Sequence, residues 1–270
     1  MEYKDLIVER NGHIMTVIFD RPHALNALSQ EMLDSQAAVC EEINRDDEIR
    51  VVIFTGAGRG FCSGIDLKHT DMTNSRLERL EMKPEYSVVA KILNVDKPTI
   101  AAVNGPAVGG GLALALECDI RIASDRATMS AIYARIGMPV LDGLGDLLPR
   151  AVGLSRALEM LYTADILGAD ECERIGLVSR VVPHDRLMPA AYDLAEQIAF
   201  RPPVALRLSK NVVMAGPRHA YGKLMFHHAV AVAKNLSAAS HDIAEGGRAF
   251  AEKREPQFKG RQGPDTENAR

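Results

Sequence analysis

Glycines at 109, 110 and 111 stand between an apolar, β-branched run and a Leu/Ala run in the stretch VNGPAVGGGLALALECDI, from Val103 to Ile120. Each glycine adds folding entropy and brings no side chain to pack, so three together imply that the backbone itself is wanted there. A second glycine turn, TGAGRGFCSGIDL at 55–67, also follows an apolar run. Neither turn contains G-x-x-x-x-G-K-[ST], and glycines at 56, 58, 60 and 64 do not match G-x-G-x-x-G, which leaves NAD and ATP with little support. If the amides of Ile65 and Gly110 face one another across a cleft, they form two fixed N–H donors. The second lies near a helix N-terminus whose dipole favours negative charge. Such a pair stabilises an enolate or another oxyanion. The alternative is that the glycines only let a helix pack closely on a strand, and the local sequence does not separate the two.

The elements that would hold these turns are readable from periodicity. LIVERNGHIMTVIFD predicts two antiparallel strands around Asn11-Gly12, with positive φ at both central positions. Ser29 can cap a helix running to about Asn44, whose apolar face is Met32, Leu33, Val39, Cys40 and Ile43. Strands follow at VVIFTG, at 98–105, at CDIRIAS and at 177–182, alternating with helices, so the sheet is mostly parallel and buried. From Asp185 onward the strand signals stop and only helices are predicted. The expected organisation is a core over 1–195, a helical assembly region over 196–261 and a disordered tail over 262–270. The polar run between Lys68 and Tyr86 predicts a mobile segment beside a site.

Composition narrows the function classes. A net charge of -4 over 270 residues gives no basic field for nucleic acid. Cysteines at 40, 62, 118 and 172 show no metal or CxxC spacing, and they are expected to be reduced. The start, MEYKDLIVERNG, has no signal-type apolar region and no run is as long as a membrane span, so the expected setting is cytoplasmic.

The blocks RPHALNAL, TGAGRGFCSGIDL, KPTIAAVNGPAVGGGLALALECDIRIAS, LPRAVG, ECERIGLVSRVVP and AFAEKREPQFKGR occur in this order over roughly residues 5–261. In order and spacing they resemble the crotonase (enoyl-CoA hydratase/isomerase) superfamily. The resemblance implies an α/β, crotonase-like core of repeated ββα units and a helical C-terminal region used in homotrimer or dimer-of-trimers assembly. It also implies an acyl-CoA thioester as substrate, with coenzyme A entering as part of that substrate and no separate cofactor. By the same resemblance Ile65 and Gly110 form the oxyanion hole. Coenzyme A lies over the FCSGIDL turn, against Ser63, Ile65, Asp66 and Lys68, while Phe258 and Lys259 meet its nucleotide end.

The sequence departs from the family where proton transfer is concerned. Hydratases of the family usually carry a glutamate two residues after the triple glycine and a second about twenty residues on. Here Ala113 and Tyr133 occupy those positions. Asp142 in GMPVLDGLG becomes the first choice for the acid/base, its pKa raised by an apolar pocket; the competing reading is a cap for a helix starting near Gly143. Tyr133 is the second choice, as a neutral donor or as packing. Glu117, one turn beyond Ala113, is expected to point away into a structural ion pair. His69 and Asp71 read as solvated loop, His227-His228 lack partners at metal spacing, and Ser63 lacks the G-x-S-x-G elbow of serine hydrolases. The reaction expected is enoyl-CoA hydration or a related lyase step, with single-carboxylate isomerisation, C–C hydrolysis or cyclisation of a β-keto thioester, and non-catalytic CoA binding as alternatives.

Overall fold

A computed structural model describes residues 3–66, 91–137, 140–215, 245, 249 and 252–257. The chain opens with the expected hairpin: β1 (Leu6–Asn11) runs antiparallel to β2 (Ile14–Phe19), with Asn11 opposite Ile14. Of the Asn11-Gly12 pair only Gly12 has a positive φ, +58°, because Asn11 remains in the strand ladder. The turn therefore centres on Gly12-His13, with glycine at the first central position.

In chain order there follow α1 (Gln30–Arg45), β3 (Val51–Gly56), β4 (Thr99–Val103), β5 (Ala107–Val108) and α2 (Gly110–Glu117). Then come β6 (Ile120–Ser124), β7 (Thr128–Ser130), a 3-10 turn at Ile132–Ile136, α3 (Leu144–Val152) and α4 (Leu154–Thr163). The described chain continues through β8 (Leu167–Gly168), α5 (Ala169–Arg174), β9 (Arg180–Val182), α6 (Leu187–Ala199) and α7 (Pro203–Ala215). The main sheet has the order β1-β2-β3-β4-β6-β9, and every pairing after the hairpin is parallel. A small second sheet, β5-β7-β8, stands beside it.

Side chains alternate along the central strands as the pleat requires. Val51, Ile53, Ile100, Ala102 and Ile122 face one way, onto Leu187, Ala191, Ala195 and Ala199 of α6. That i, i+4 stripe of small residues lets the helix lie close to the sheet, and α6 runs through position 195 without a break. Val52, Phe54, Ala101 and Val103 face the other way, into the larger core that contains the buried faces of α1 and α2. Ser29 caps α1 as expected, its Oγ accepting from the Met32 amide at 3.1 Å.

The strand expected over 177–182 is shorter than its pattern. The amides of Leu177 and Val178 both donate to the Cys172 carbonyl, at 2.8 and 3.2 Å, which commits that half of the run to the end of α5. All four cysteines are free and buried. Among the described residues no helix is long and apolar enough to cross a membrane. The polar run from Lys68 to Tyr86, most of the expected assembly region and the tail lie outside the described residues.

Candidate active site

The two glycine turns leave adjacent parallel strands, β3 and β4, at the same end, and the fold joins them. Val108 donates to the Cys62 carbonyl at 3.0 Å, and Cys62 bridges Ala107 in parallel register. A methyl built on Gly111 would overlap that same Cys62 carbonyl oxygen, so the third glycine permits the contact between the turns. Gly64, at φ +91°, lies so near that a methyl on it would stand 2.7 Å from the Val108 carbonyl oxygen and 3.3 Å from the Gly110 nitrogen.

This packing leaves two amides over. Ile65 bridges Leu28, but the bridge uses the carbonyl of Gly64 and the amide of Asp66, at 2.8 and 3.2 Å, so the N–H of Ile65 points off the opposite edge. Gly109, at φ 55° and ψ -117°, spends its own amide on the Ser130 carbonyl at 2.9 Å and precedes α2. Gly110 is the first helical residue, where an amide has no intrahelical acceptor. Among the described residues neither the Ile65 nor the Gly110 amide makes a hydrogen bond. Gly111 thus serves close packing of the turns, while the Gly110 amide has no acceptor among the described residues.

The carboxylate expected at this site is beside it. Asp142 has φ +56° and is half-buried, and its Oδ2 lies 3.4 Å from where a methyl on Gly110 would be. The Tyr133 hydroxyl donates to the same Oδ2 at 2.9 Å. Burial, with the Asp142 charge adding to it, pushes the Tyr133 phenol far above its ordinary pKa and keeps it a donor. The first turn of α3 is served largely by backbone: the amides of Leu144 and Asp146 go to the carbonyls of Leu141 and Gly143, at 3.1 and 3.0 Å. The four residues Ile65, Gly110, Tyr133 and Asp142 thus form one constellation, with N–H groups that lack an acceptor among the described residues beside a hydroxyl–carboxyl pair.

A family model described as enoyl-CoA hydratase/isomerase matches residues 9–261. The chain belongs to this family. It is similar to a probable enoyl-CoA hydratase of Mycobacterium tuberculosis, 35% identical over 267 residues, covering 96% of this chain and 99% of that one. It is also similar to a crotonyl-CoA hydratase of Syntrophomonas wolfei, 36% identical with coverage of 96% and 99%. An enoyl-CoA hydratase structure from Bacillus anthracis superposes with a TM-score of 0.89 at 33% identity, covering 95% of this chain and 100% of that one. The crotonase-like α/β fold expected from the sequence is borne out.

Within that family frame, several residues have work that the sequence did not disclose. Asn104 donates from Nδ2 to the carbonyls of Gly56, Gly58 and Gly60, at 2.9, 3.0 and 3.2 Å, and its Oδ1 accepts from the Gly56 amide at 3.2 Å. Asn26 donates to the carbonyls of Ala57 and Gly60, at 2.9 and 2.8 Å. Two buried amides therefore hold the first glycine turn in shape. Asn26 has φ +57°, a conformation asparagine accepts more readily than most residues, and this is the signal that RPHALNAL offered.

Of the residues expected along coenzyme A, Asp66 is buried and accepts from Arg21 Nη2 at 2.9 Å. Ser63 is half-buried and donates to the Ala24 carbonyl at 3.2 Å. Lys68, Phe258 and Lys259 lie outside the described residues, as do His69, Asp71 and His227-His228.

The ion pair expected for Glu117 is not present among the described residues. Glu117 is 1% exposed, and one of its oxygens, Oε2, has no hydrogen-bond partner. It packs beside the 3-10 turn at Ile92–Asn94, where the backbone amides of Ile92 and Leu93 serve its carboxyl. Asp119, two residues on, is the one that pairs: its Oδ2 accepts from Lys210 Nζ at 2.9 Å and from the Thr99 amide at 2.8 Å.

Proposed function

We propose that this chain is an enoyl-CoA hydratase that works with one carboxylate. The observation that carries the reading is the pair of amides, Ile65 and Gly110, without an acceptor among the described residues and close to the Tyr133–Asp142 hydrogen bond. The thioester oxygen of a 2-enoyl-CoA lies between the two amides and takes up negative charge as the enolate forms. Asp142 accepts a proton from water as the water oxygen bonds to the β-carbon, then returns that proton to the α-carbon. One hydroxyl and one hydrogen are added, and the carboxylate is regenerated. Tyr133 donates to the Asp142 oxygen and holds it in place.

The similarity to hydratases of known name supports the reaction, and the family supports an acyl-CoA as substrate. Ala113, where family hydratases place a glutamate, favours one carboxylate moving one proton over a two-acid scheme. The same economy suits migration of a double bond, so the product must be identified. Incubation with crotonyl-CoA and longer 2-enoyl-CoAs is expected to remove enoyl absorbance and give a product heavier by one water. Asp142→Asn is expected to lower turnover on the order of a hundredfold with acyl-CoA affinity nearly intact. A product of unchanged mass gives isomerisation, an active Asp142→Asn variant removes the carboxylate from the mechanism, and no acyl-CoA binding at millimolar concentration sinks the reading. The reading includes assembly as a trimer or a dimer of trimers in the cytoplasm, which light scattering of the purified protein and fractionation of cells test.

A further inference from the structure

Gly110, Ala113, Leu114 and Glu117 recur on α2 at the three- and four-residue spacing that marks one helical face. That face begins at a candidate oxyanion donor and ends at a carboxyl about 10 Å further along the axis. Between them Ala113 projects only a methyl group. Glu117 is not accounted for by the reaction above: it is fully buried, and Oε2 is without a partner among the described residues. Burial, then the charge of Asp142, lifts its carboxyl well above the ordinary range and keeps it neutral, able to donate as well as accept.

A second orphan lies in the same part of the interior. Gln36 on α1 is 0% exposed, and neither its Nε2 nor its Oε1 has a partner among the described residues. One turn along α1 stands Cys40, whose thiol is close enough to Glu117 to feel its carboxyl. Buried polar side-chain atoms are normally hydrogen-bonded. Three such atoms on α1 and α2, without a partner among the described residues, point to a polar group that a ligand can supply.

We propose that Glu117 is a specificity-determining residue that reads a hydrogen-bonding group on the acyl chain, so that the preferred thioesters carry a hydroxyl well beyond the reacting carbons. The inference rests on the acyl-CoA reading given above. Helical side chains lean toward the N-terminus, so the carboxyl reaches back toward Gly110. An extended chain advances about 1.2 Å per bond, which sets the hydroxyl about six bonds from the thioester carbonyl.

Pairs of acyl-CoAs in which a hydroxyl replaces a terminal methyl test this directly: 6-hydroxyhexanoyl-CoA against heptanoyl-CoA, and 7-hydroxyheptanoyl-CoA against octanoyl-CoA. Affinities are measured by calorimetry on the wild-type protein, Glu117→Gln and Glu117→Leu. The wild type is expected to favour the hydroxylated member of at least one pair by about tenfold, the strength of one good hydrogen bond. Glu117→Gln is expected to keep part of that preference, and Glu117→Leu to reverse it. Tighter binding of the alkyl member of both pairs by the wild type overturns the proposal, even if the leucine variant does not fold. So does a preference unchanged in Glu117→Leu. Equal binding of alkyl and hydroxyl chains, with normal turnover of enoyl-CoAs, refutes this inference and leaves the hydratase reading standing; failure of every acyl-CoA to bind removes both.

Discussion

Alanine at each of the three consecutive glycines should produce three different failures, because each glycine meets a different obstacle. At 111 the added methyl overlaps the Cys62 carbonyl oxygen and stands 2.6 Å from its carbon, both backbone atoms. Relief requires the two turns to separate, breaking the Val108–Cys62 hydrogen bond, and a cost of at least about 3 kcal/mol is expected. At 109 the nearest atom is Ile132 Cγ2 at 3.7 Å, so space is ample, but φ 55° with ψ -117° is a glycine conformation. Strain of about 1–3 kcal/mol should appear as lost stability. At 110 the methyl would meet Leu28 Cδ1 at 3.2 Å and Asp142 Oδ2 at 3.4 Å, two side-chain ends that can give way. Alanine's better helix propensity, up to about 1 kcal/mol, offsets that crowding, so stability should change by less than about 1 kcal/mol. Activity should not survive, since the methyl stands between an oxyanion donor and the carboxylate, and loss of one such donor costs on the order of 100- to 1000-fold. Urea unfolding and enoyl-CoA hydration rates, measured on all three variants, separate the effects. A fully active Gly110→Ala protein, or a Gly111→Ala protein as stable as wild type, would refute this account of the turns.

Two further outcomes follow from the hydrogen bonds of the site. Tyr133→Phe removes the 2.9 Å donor to Asp142 and should lower kcat by about tenfold with acyl-CoA affinity nearly intact; an unchanged kcat would leave Tyr133 as packing. Burial lifts the Glu117 carboxyl well above the ordinary carboxylate range, so the folded chain retains a proton that the unfolded chain releases. Stability should therefore fall as pH rises from about 4.5 toward the folded pKa, and Glu117→Gln should flatten that decline in urea titrations at several pH values; equal slopes in both proteins would contradict it.

The fold was largely legible because its signals are local or strictly periodic. The Ser29 cap, the apolar face of α1 and the alternation along VVIFTG and TIAAV need no knowledge of distant partners. Errors arose where a tertiary hydrogen bond decided between two local options. Asn11 stayed in its strand because Ile14 pairs with it, and Leu177 was drawn to Cys172. At the site, the glycines declared that backbone was needed, and ordered motifs along the whole chain supplied the meeting of Ile65 with Gly110. Asn104 and Asn26 went unread because a lone asparagine beside a turn does not reveal which carbonyls its amide will reach. The ion pair expected for Glu117 failed for a related reason: helical spacing fixed its face but said nothing of what packs against it.

The hold on Asn104 also governs how the protein ages. An asparagine followed by glycine is prone to deamidate, because the next backbone nitrogen can close on the side-chain carbonyl carbon and expel ammonia. The chain has two such pairs, Asn11-Gly12 and Asn104-Gly105. Asn11 is exposed at the end of a hairpin strand, next to the turn. Asn104 has its amide fixed to three carbonyls, and Gly105 is wedged so tightly against Arg59 that even a methyl would not fit. Chemical wear should therefore accumulate at the hairpin, far along the sheet from the chemistry, while the turn that carries the Ile65 amide keeps the asparagine that braces it for as long as the chain stays folded.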